Sequence, residues 1–428
     1  MEIKLKKALN SKIGFVGLSH LGIITSAGLS SKGYETVCFD NDTSLVNLLK
    51  TGVSNILEPG LSQILKSNTE LQMFTNEIKD LELCDIIYIS KDVSTDSDGV
   101  SDTSEITDLI QQLKQEIDLK VPLVILCQVP PGYSRDISSI LDTSVYYQVE
   151  TLIFGDAINR TLYPERYIIG SLNPQQPLPE IFQKILQLGS CPILLMSYES
   201  AELTKISINL YLAADVSLSN SLAEVCNKIG ADWEQITPAL RMDKRIGEFA
   251  YLRPGLGISG GNIERDIVSI TEMSEKFGVN SEVFKSYLNH SKYQKFWASR
   301  MLESLIDFGT CKPNIGVFGL TYKENTHSTK NSPSIANIKN LQYRANIFVH
   351  DPVVTAIEDL EATFVKTPEE IFHLVDFLLV LTPWDSYKKY STEEMLVAFR
   401  GKVILDPFKL FDVDLCRSLE IHYITLGK

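Results

Sequence analysis

The chain has 428 residues and a formal net charge of -14 at pH 7. A surface of that sign repels nucleic acid and anionic membranes, so the composition argues against both as partners. Apolar runs such as residues 86–89 and 377–381 are far shorter than the ~20 residues that span a bilayer. At roughly 150 residues per domain, a chain of this length is expected to form about three domains.

The seven cysteines are scattered along the chain without Cys-x-x-Cys or Cys/His spacing. This pattern predicts buried thiols and no metal site. The N-terminal residues lack the apolar core of a signal peptide. Both features favour a protein of the reducing cytoplasm.

The N-terminal residues predict a βαβ unit. An apolar strand at residues 13–17 is followed by a turn, a helix to about residue 32 and a second strand at 34–39 that ends in Asp40. A dinucleotide-binding turn has the pattern Gly-x-Gly-x-x-Gly, with an acidic residue about 20 positions later for the ribose. This chain has Gly17-Leu-Ser19-His-Leu21-Gly22, with serine in place of the middle glycine. These residues alone are equally compatible with an ordinary strand–turn–helix.

Strand-like and helix-like stretches continue to alternate up to about residue 170. Apolar runs predict strands at 85–90, 121–129, 144–149 and 166–169, and helical spacing covers 103–117 and 132–141. The alternation predicts a parallel sheet covered by helices on both faces. The polar segment 91–104 is interpreted as a solvated loop.

From Glu199 the pattern changes to a helix of roughly 30 residues, which is long for a globular domain. It leads to the segment 253–266, which has four glycines in the seven positions 255–261. Glycines allow positive φ and close backbone approach, so this segment is interpreted as an active-site turn. Helical spacing then runs to about residue 305, and a second βαβ pattern begins at residue 314.

Short motifs along nearly the whole chain resemble one family. In chain order they are Glu58-Pro-Gly-Leu61, Val129-Pro-Pro-Gly132, Pro164-Glu-Arg166, Lys205-Ile-Ser-Ile-Asn209, Gly230-Ala-Asp232, Arg245-Ile-Gly247, Gly319-Leu-Thr-Tyr-Lys323, Ser332-Pro-Ser334 and His350-Asp351-Pro352. Together with the glycine turn they resemble the UDP-glucose and GDP-mannose dehydrogenases, which are nucleotide-sugar 6-dehydrogenases.

The resemblance implies two Rossmann-like, doubly wound parallel-sheet domains joined by a long central helix and a helical middle domain. The expected domains are an NAD-binding domain at 1–198, a central helical domain at 199–305 and a nucleotide-sugar-binding domain at 306–428. The implied cofactor is NAD, and the implied substrate is a nucleotide sugar used in polysaccharide biosynthesis. The helix near residues 213–227 resembles the family's subunit-contact helix, so a homodimer is expected.

The resemblance also implies roles for individual residues. Lys205 matches the lysine that stabilises a developing alkoxide, Asn209 its polar partner one helical turn later, and Asp266 the carboxylate that holds a water with the lysine. Glu150 matches a glutamate that follows a strand of the first domain. The remaining implied contacts are Gly17, Ser19, Leu21, Gly22, Asp40 and Lys330 for the cofactor, and Arg245, Gly257, Gly260 and Lys323 for the substrate.

The largest departure from the family pattern is at Asn262. The family turn reads approximately Gly-Phe-Gly-Gly-Ser-Cys-Phe-x-Lys-Asp, and its cysteine traps the aldehyde intermediate before the second oxidation. Here the turn reads Gly257-Ile-Ser-Gly-Gly-Asn262-Ile-Glu-Arg265-Asp266. A carboxamide has no ionisable nucleophile, so Asn262 cannot form the thiohemiacetal or the thioester.

Other positions of chemical importance in the family also differ. Its catalytic threonine is replaced by Gln128, its second glutamate by Phe154, and its cofactor-binding arginine by Lys330. Three functions therefore stay open. The chain is a two-electron oxidoreductase, a binding or regulatory paralogue without turnover, or a four-electron dehydrogenase with a rerouted nucleophile.

Overall fold

A computed structural model describes residues 9–95 and 101–428. By its internal contacts the chain divides into two compact units, Met1–Ser207 and Ile208–Lys428. The boundary falls inside the long helix, so it does not test the three domain boundaries expected from the sequence. Those boundaries stay predictions.

The first unit is built on an eight-stranded sheet with the strand order β10-β9-β8-β7-β4-β1-β2-β3. Its central strands are apolar because both faces are covered; all four residues of Ile86–Ile89, for example, are buried. The strands of this unit are β1 (Leu9–Val16), β2 (Tyr34–Phe39), β3 (Gln72–Thr75), β4 (Ile86–Ile89), β5 (Ser94–Thr95), β6 (Ser101–Asp102), β7 (Leu123–Ile125), β8 (Val145–Gln148), β9 (Tyr167–Ser171) and β10 (Ile193–Ser197).

Helices cover this sheet and connect its strands. They are α1 (His20–Ser31), α2 (Thr43–Lys50), α3 (Leu61–Ser67), α4 (Ser104–Glu116), α5 (Tyr133–Ile140), α6 (Ala157–Leu162) and α7 (Glu180–Gln187). The α/β fold class predicted from the sequence is confirmed.

Two local predictions for the first unit were wrong. Strand β9 pairs antiparallel with β8, not parallel, because the segment with α6 returns the chain to the sheet edge where β8 ended. The segment 91–104 is not simply a loop, since β5 and β6 form a short antiparallel pair. Residues 96–100 of that segment lie outside the described residues.

Helix α8 (Tyr198–Ile229) is 32 residues long, as the uninterrupted helical spacing predicted. In the second unit it is followed by α9 (Trp233–Met242), α10 (Asn262–Lys276), α11 (Glu282–Lys295), α12 (Trp297–Leu305), α13 (Pro333–Leu341), α14 (Pro368–Leu374), α15 (Glu393–Ala398) and α16 (Val413–Ser418).

The second unit has a six-stranded sheet with the order β13-β12-β11-β14-β15-β16, in which all pairings are parallel. Its strands are β11 (Asn314–Phe318), β12 (Asn346–His350), β13 (Thr363–Phe364), β14 (Phe377–Val380), β15 (Val403–Leu405) and β16 (His422–Ile424).

The cysteines are not all buried as expected. Five have buried side chains, Cys191 is half-buried, and Cys311 is exposed, because it lies outside the core in the connection between α12 and β11. Within residues 9–95 and 101–428, no group of three or more His, Cys, Asp or Glu side chains is arranged to hold a metal ion. In the same residues, no helix has the length and apolar content to cross a bilayer.

Candidate active site

The predicted cofactor turn connects β1 to α1 in the first unit. Gly17 has φ +87°, a conformation that favours glycine. A Cβ on Gly22 would lie 2.4 Å from the Gly17 carbonyl oxygen, so only glycine lets α1 pack this closely on the turn. Leu21 is buried beneath the turn as part of the core. Helix α1 therefore begins directly after a tight glycine turn, and its first N–H groups have no partner within the helix, as at helix N-termini that bind a pyrophosphate.

Ser19 lies at the N-cap of α1, but its side chain does not cap the helix. Its hydroxyl donates to the carbonyl oxygen of Ser90 at 3.0 Å and accepts from the N–H of Asp92 at 2.9 Å. The serine that replaces the middle glycine therefore links the cofactor turn to the segment after β4.

Asp40 ends β2, and its carboxylate is buried. One oxygen accepts from the N–H of Leu18 at 2.7 Å and the other from the N–H of Asp42 at 2.9 Å. It also lines a cavity of about 240 Å³ together with residues of α4. That volume is smaller than a typical pocket for a whole ligand, ~300 Å³ or more, and fits one end of a dinucleotide. The turn and the cavity thus fit the implied cofactor, and the ribose contact expected of Asp40 stays a prediction.

Two predicted catalytic residues of the first unit lie side by side. The Nζ of Lys205 on α8 is 3.9 Å from a carboxylate oxygen of Glu150, which follows β8. The other oxygen of Glu150 accepts from the N–H of Leu152. Both side chains are largely shielded from solvent. A shielded ammonium group next to a carboxylate can stabilise negative charge on a substrate oxygen.

The second unit brings together two further predicted residues. The side-chain amide of Asn209, on α8, donates to a carboxylate oxygen of Asp266 on α10 at 2.5 Å. Arg265 lies 3.4 Å from the other oxygen of Asp266. All three side chains are buried. Buried charges need partners, and this arrangement supplies them for Asp266.

The glycine turn is fixed by helices of its own unit. Gly257 has φ +81°, and a Cβ there would lie 2.8 Å from the carbonyl oxygen of Ser291 on α11. The Ser291 hydroxyl accepts from the N–H of Ile258 at 2.8 Å. Gly260 has φ +75°, and a Cβ there would lie 3.0 Å from the Tyr322 ring. The glycines are therefore required both by backbone conformation and by close packing.

Asn262 is the first residue of α10, directly after the N-cap residue Gly261. The Lys330 side chain lies against Gly261, since a Cβ there would be 3.3 Å from its Nζ. The structure thus places a cation beside the position where the family resemblance implied a cysteine. Lys323 lies with its Nζ 5.9 Å from the centre of the Tyr322 ring.

Arg245 is predicted to bind substrate, but its contacts in the second unit are local. Its side chain is 88% exposed and pairs with Asp243 at 2.6 Å. The hydrogen bond with Asp243 raises the pKa of the arginine. The structure does not gather this residue with the glycine turn, and its role stays a prediction.

Several side chains that hold these loops were missed by the sequence analysis. Buried Glu58 accepts from the N–H groups of Gly155 and Ala157 at 3.0 and 2.7 Å, which fixes the segment that follows Glu150. Glu202 accepts from Gly132 and Ser134 at 2.6 and 2.8 Å. Glu58 lies in a motif quoted for the resemblance, and Glu202 accepts from Gly132, the last residue of another such motif. The motifs therefore marked these loops, but they did not indicate that the two glutamates hold them.

A polar chain beside Asn262 was also missed. The Asn331 amide donates to Glu264 of α10 at 2.5 Å, and the Asn331 oxygen accepts from Lys295 of α11. Burial lowers the pKa of Lys295. Asn331 has φ +55°, which asparagine tolerates better than most residues. No local sequence pattern indicates this connection, because it joins three separate elements.

Comparison with known families gives matches along most of the chain. Residues 11–187 match the model for the UDP-glucose/GDP-mannose dehydrogenase family, NAD binding domain. Residues 199–292 match the central domain of that family, and residues 316–413 match its UDP binding domain.

Individual relatives are similar over nearly their full lengths. The UDP-glucose 6-dehydrogenase of Rickettsia typhi is 25% identical over 432 residues, which cover 97% of this chain and 99% of that protein. The UDP-glucose 6-dehydrogenase TuaD of Bacillus subtilis is 26% identical, and the match covers 97% of this chain and 93% of TuaD.

Solved structures show the same fold. A UDP-glucose dehydrogenase from Pyrobaculum islandicum superposes with a TM-score of 0.85 at 24% identity, covering 97% of this chain and 98% of that one. A UDP-D-ManNAc dehydrogenase from Pyrococcus horikoshii gives a TM-score of 0.83 at 19% identity, and the match covers 97% of this chain and 99% of that one.

Proposed function

We propose that this chain, which belongs to the UDP-glucose/GDP-mannose dehydrogenase family, transfers two electrons between a CH–OH group of a nucleotide sugar and NAD. The chain has the family's NAD-binding domain and its UDP-binding domain. Relatives of similar length are named UDP-glucose 6-dehydrogenases. A UDP-sugar is therefore the substrate class to test first.

The observation that supports a limit of two electrons is the carboxamide of Asn262 at the start of α10. Carboxylate formation in this family requires a thiol that adds to the aldehyde. The three cysteines of the second unit are held elsewhere: Cys226 packs against Trp233, Cys416 is buried in the sheet core, and Cys311 is exposed in the turn after α12. Oxidation is therefore expected to stop at the carbonyl.

The remaining residues suit the first oxidation. Bound NAD would accept a hydride from the carbon, and the hydroxyl proton would leave to water. In the first unit, Lys205 beside Glu150 offers positive charge to a developing alkoxide. In the second unit, Asp266 is held by Asn209 and Arg265 and can accept a hydrogen bond from a water that takes the proton.

The test is the stoichiometry of turnover. Purified protein is incubated with NAD and UDP-glucose, then with other UDP-sugars, while NADH is measured by absorbance and the product by NMR. We expect one NADH per sugar and a carbonyl product. Two NADH per sugar with a carboxylate product would contradict the proposal and would support a four-electron enzyme with a rerouted nucleophile.

The variant Asn262→Cys tests the same point from the opposite direction. A thiol at this position can add to the aldehyde, so we expect the ratio of NADH to sugar to rise towards about two, with carboxylate formed. Asn262→Ala is the control, because it also removes the carboxamide but adds no nucleophile. A cysteine variant that makes no more carboxylate than the alanine variant would mean that other departures limit the second step.

A binding or regulatory paralogue is the second candidate, and one contact favours it. The Phe154 ring packs on His20, the first residue of α1, with 4.1 Å between ring centres. An apolar ring thus lies beside the helix N-terminus where a pyrophosphate would bind. Thermal shift measurements with NAD and UDP-glucose, followed by the turnover assay, separate the candidates. Binding of both ligands without hydride transfer would support the paralogue.

We also propose that the chain forms a homodimer through α8. In the second unit this helix exposes Tyr211, Leu218, Leu222, Val225 and Ile229. Their spacing of seven, four, three and four residues places them on one face, as in helices that pair along an apolar seam. A second copy of the same helix would cover this face.

A further inference from the structure

An ion pair lies in the cavity next to Asp40. The Nζ of Lys91 is 2.9 Å from a carboxylate oxygen of Glu105. Both residues line the cavity of about 240 Å³, and its remaining lining residues are Asp40, Asn41, Asp108, Leu109 and Gln112. Asn41 and Gln112 are joined across the cavity wall by a hydrogen bond of 3.3 Å.

The two partners of the ion pair come from elements that face the cofactor turn. Lys91 follows β4. A Cβ placed on Gly17 would lie only 2.7 Å from the Cβ of Lys91. Glu105 is in the first turn of α4. The pair therefore lies where the turn, the end of β2 and the start of α4 meet, next to the carboxylate assigned to the ribose.

The charges around the cavity are unequal. Asp40, Glu105 and Asp108 provide three carboxylates, and Lys91 is the only ammonium group that the described part of the chain contributes to the lining. Burial lowers the pKa of Lys91, but its bond to Glu105 and the charges of Asp40 and Asp92 outweigh that effect, so the pKa is raised. Lys91 is thus a charged group engaged by acidic neighbours.

We propose that Glu105 sets the preference of this chain for NAD over NADP by engaging Lys91. The two cofactors differ by a phosphate on the ribose 2′-hydroxyl, the position that the acidic residue at the end of β2 faces. In this cavity a 2′-phosphate would meet three carboxylates, and Lys91, the one cation among the described residues that line it, is paired with Glu105. This inference rests on the cofactor site of the proposed function.

The test is direct binding of NADH and NADPH, measured by isothermal titration calorimetry at low salt, where exposed charges are least screened. The unmodified chain should bind NADH more tightly than NADPH. Glu105→Gln removes one negative charge and releases Lys91. We expect it to strengthen NADPH binding about tenfold, the order of a single close charge interaction, and to change NADH binding less than about twofold.

Two further variants identify the cause of that change. Adding Lys91→Met to Glu105→Gln should abolish most of the gain, because the gain depends on the released ammonium group. Glu116→Gln makes the same charge change at the other end of α4, outside the lining of the cavity. A glutamine there keeps the oxygen that accepts from the Gln112 amide, so both affinities should be unchanged.

The outcomes separate this inference from the proposed function. If NADH binds but Glu105→Gln leaves the ratio of the two affinities unchanged, or if the double variant keeps the gain, Glu105 does not set the preference, and the proposed function is unaffected. If the unmodified chain binds neither nucleotide, both the inference and the oxidoreductase proposal are refuted.

Discussion

Ser19 shows how one side chain can affect both stability and ligand binding. Its hydroxyl makes two hydrogen bonds to the segment after β4, whereas a glycine here would let a pyrophosphate approach the backbone more closely. The two effects oppose each other and can be measured separately on the same variants.

We expect Ser19→Gly to bind NAD more tightly than the unmodified chain and to be less stable. Loss of the two hydrogen bonds should lower the free energy of unfolding by about 1–2 kcal/mol. Ser19→Ala is the control, because it loses the same bonds but keeps the Cβ. Urea denaturation gives the stability and calorimetry gives the affinity. Equal NAD affinity in the glycine and alanine variants would show that the Cβ does not hinder binding.

The residues of the site were predictable to the extent that a short pattern identified them. Motif matches indicated Glu150 and Lys205, and the structure places these two within 3.9 Å of each other. The role of Glu58 was not predictable, because its partners Gly155 and Ala157 are almost 100 positions away in the chain. Long-range contacts of this kind leave no local pattern.

At the level of elements, the same kind of turn follows the first strand of each of the two sheets. Gly17 and Gly319 follow β1 and β11 with φ of +87° and +90°. Each turn has a leucine N–H that donates at 2.7 Å to an aspartate at the end of the next strand, Leu18 to Asp40 and Leu320 to Asp351. The sequence predicted both βαβ units because glycine and apolar runs mark them.

The two aspartates nevertheless have different surroundings. Asp351 also accepts from the N–H of Thr321 and from the indole N–H of Trp384, at 3.3 and 3.2 Å. The oxygens of the Asp351 carboxylate therefore accept hydrogen bonds from several donors of its own unit. Asp40 instead lines a cavity. The sequence could not distinguish the two, since each simply ends a strand.

Helices α8 and α11 are joined at His290, and this contact predicts a dependence of stability on pH. One ring nitrogen, Nε2, is 2.9 Å from the Ser221 hydroxyl, and the other, Nδ1, is buried with no hydrogen-bond partner among the described residues. Burial lowers the pKa of His290; the charge of Glu224 opposes this shift, and that of Arg300 adds to it. Protonation would add a buried charge with no acceptor at Nδ1.

The sign of the effect follows from proton uptake. The unfolded chain binds a proton at His290 near the ordinary pKa of ~6.5, and the folded chain only at lower pH. The contribution to stability is therefore complete above that pKa and is lost as the pH falls through it. In urea denaturation between pH 7.5 and 5.5, His290→Gln should lose less stability than the unmodified chain. The control is His422→Gln at the exposed start of β16, for which the pH dependence should be unchanged.

At the level of the whole molecule, the face of α8 that the second unit leaves exposed predicts the oligomeric state. Leu218 and Val225 are 62% and 49% exposed, and a stable monomer gains nothing from a regular apolar seam on its surface. The sequence predicted the helix from its 3.6-residue spacing. It did not distinguish the covered face from the exposed one, because both are rich in apolar residues.

The double variant Leu218→Glu with Val225→Glu tests this face. Light scattering after gel filtration should give twice the mass of one chain for the unmodified protein and the mass of one chain for the variant, because paired helices would bury uncompensated charges. Circular dichroism should be unchanged, since both side chains are exposed in one chain. Val397→Glu, at an exposed position on α15, is the control and should remain dimeric. A monomeric unmodified protein, or a double variant that still dimerises, would exclude this seam as the interface.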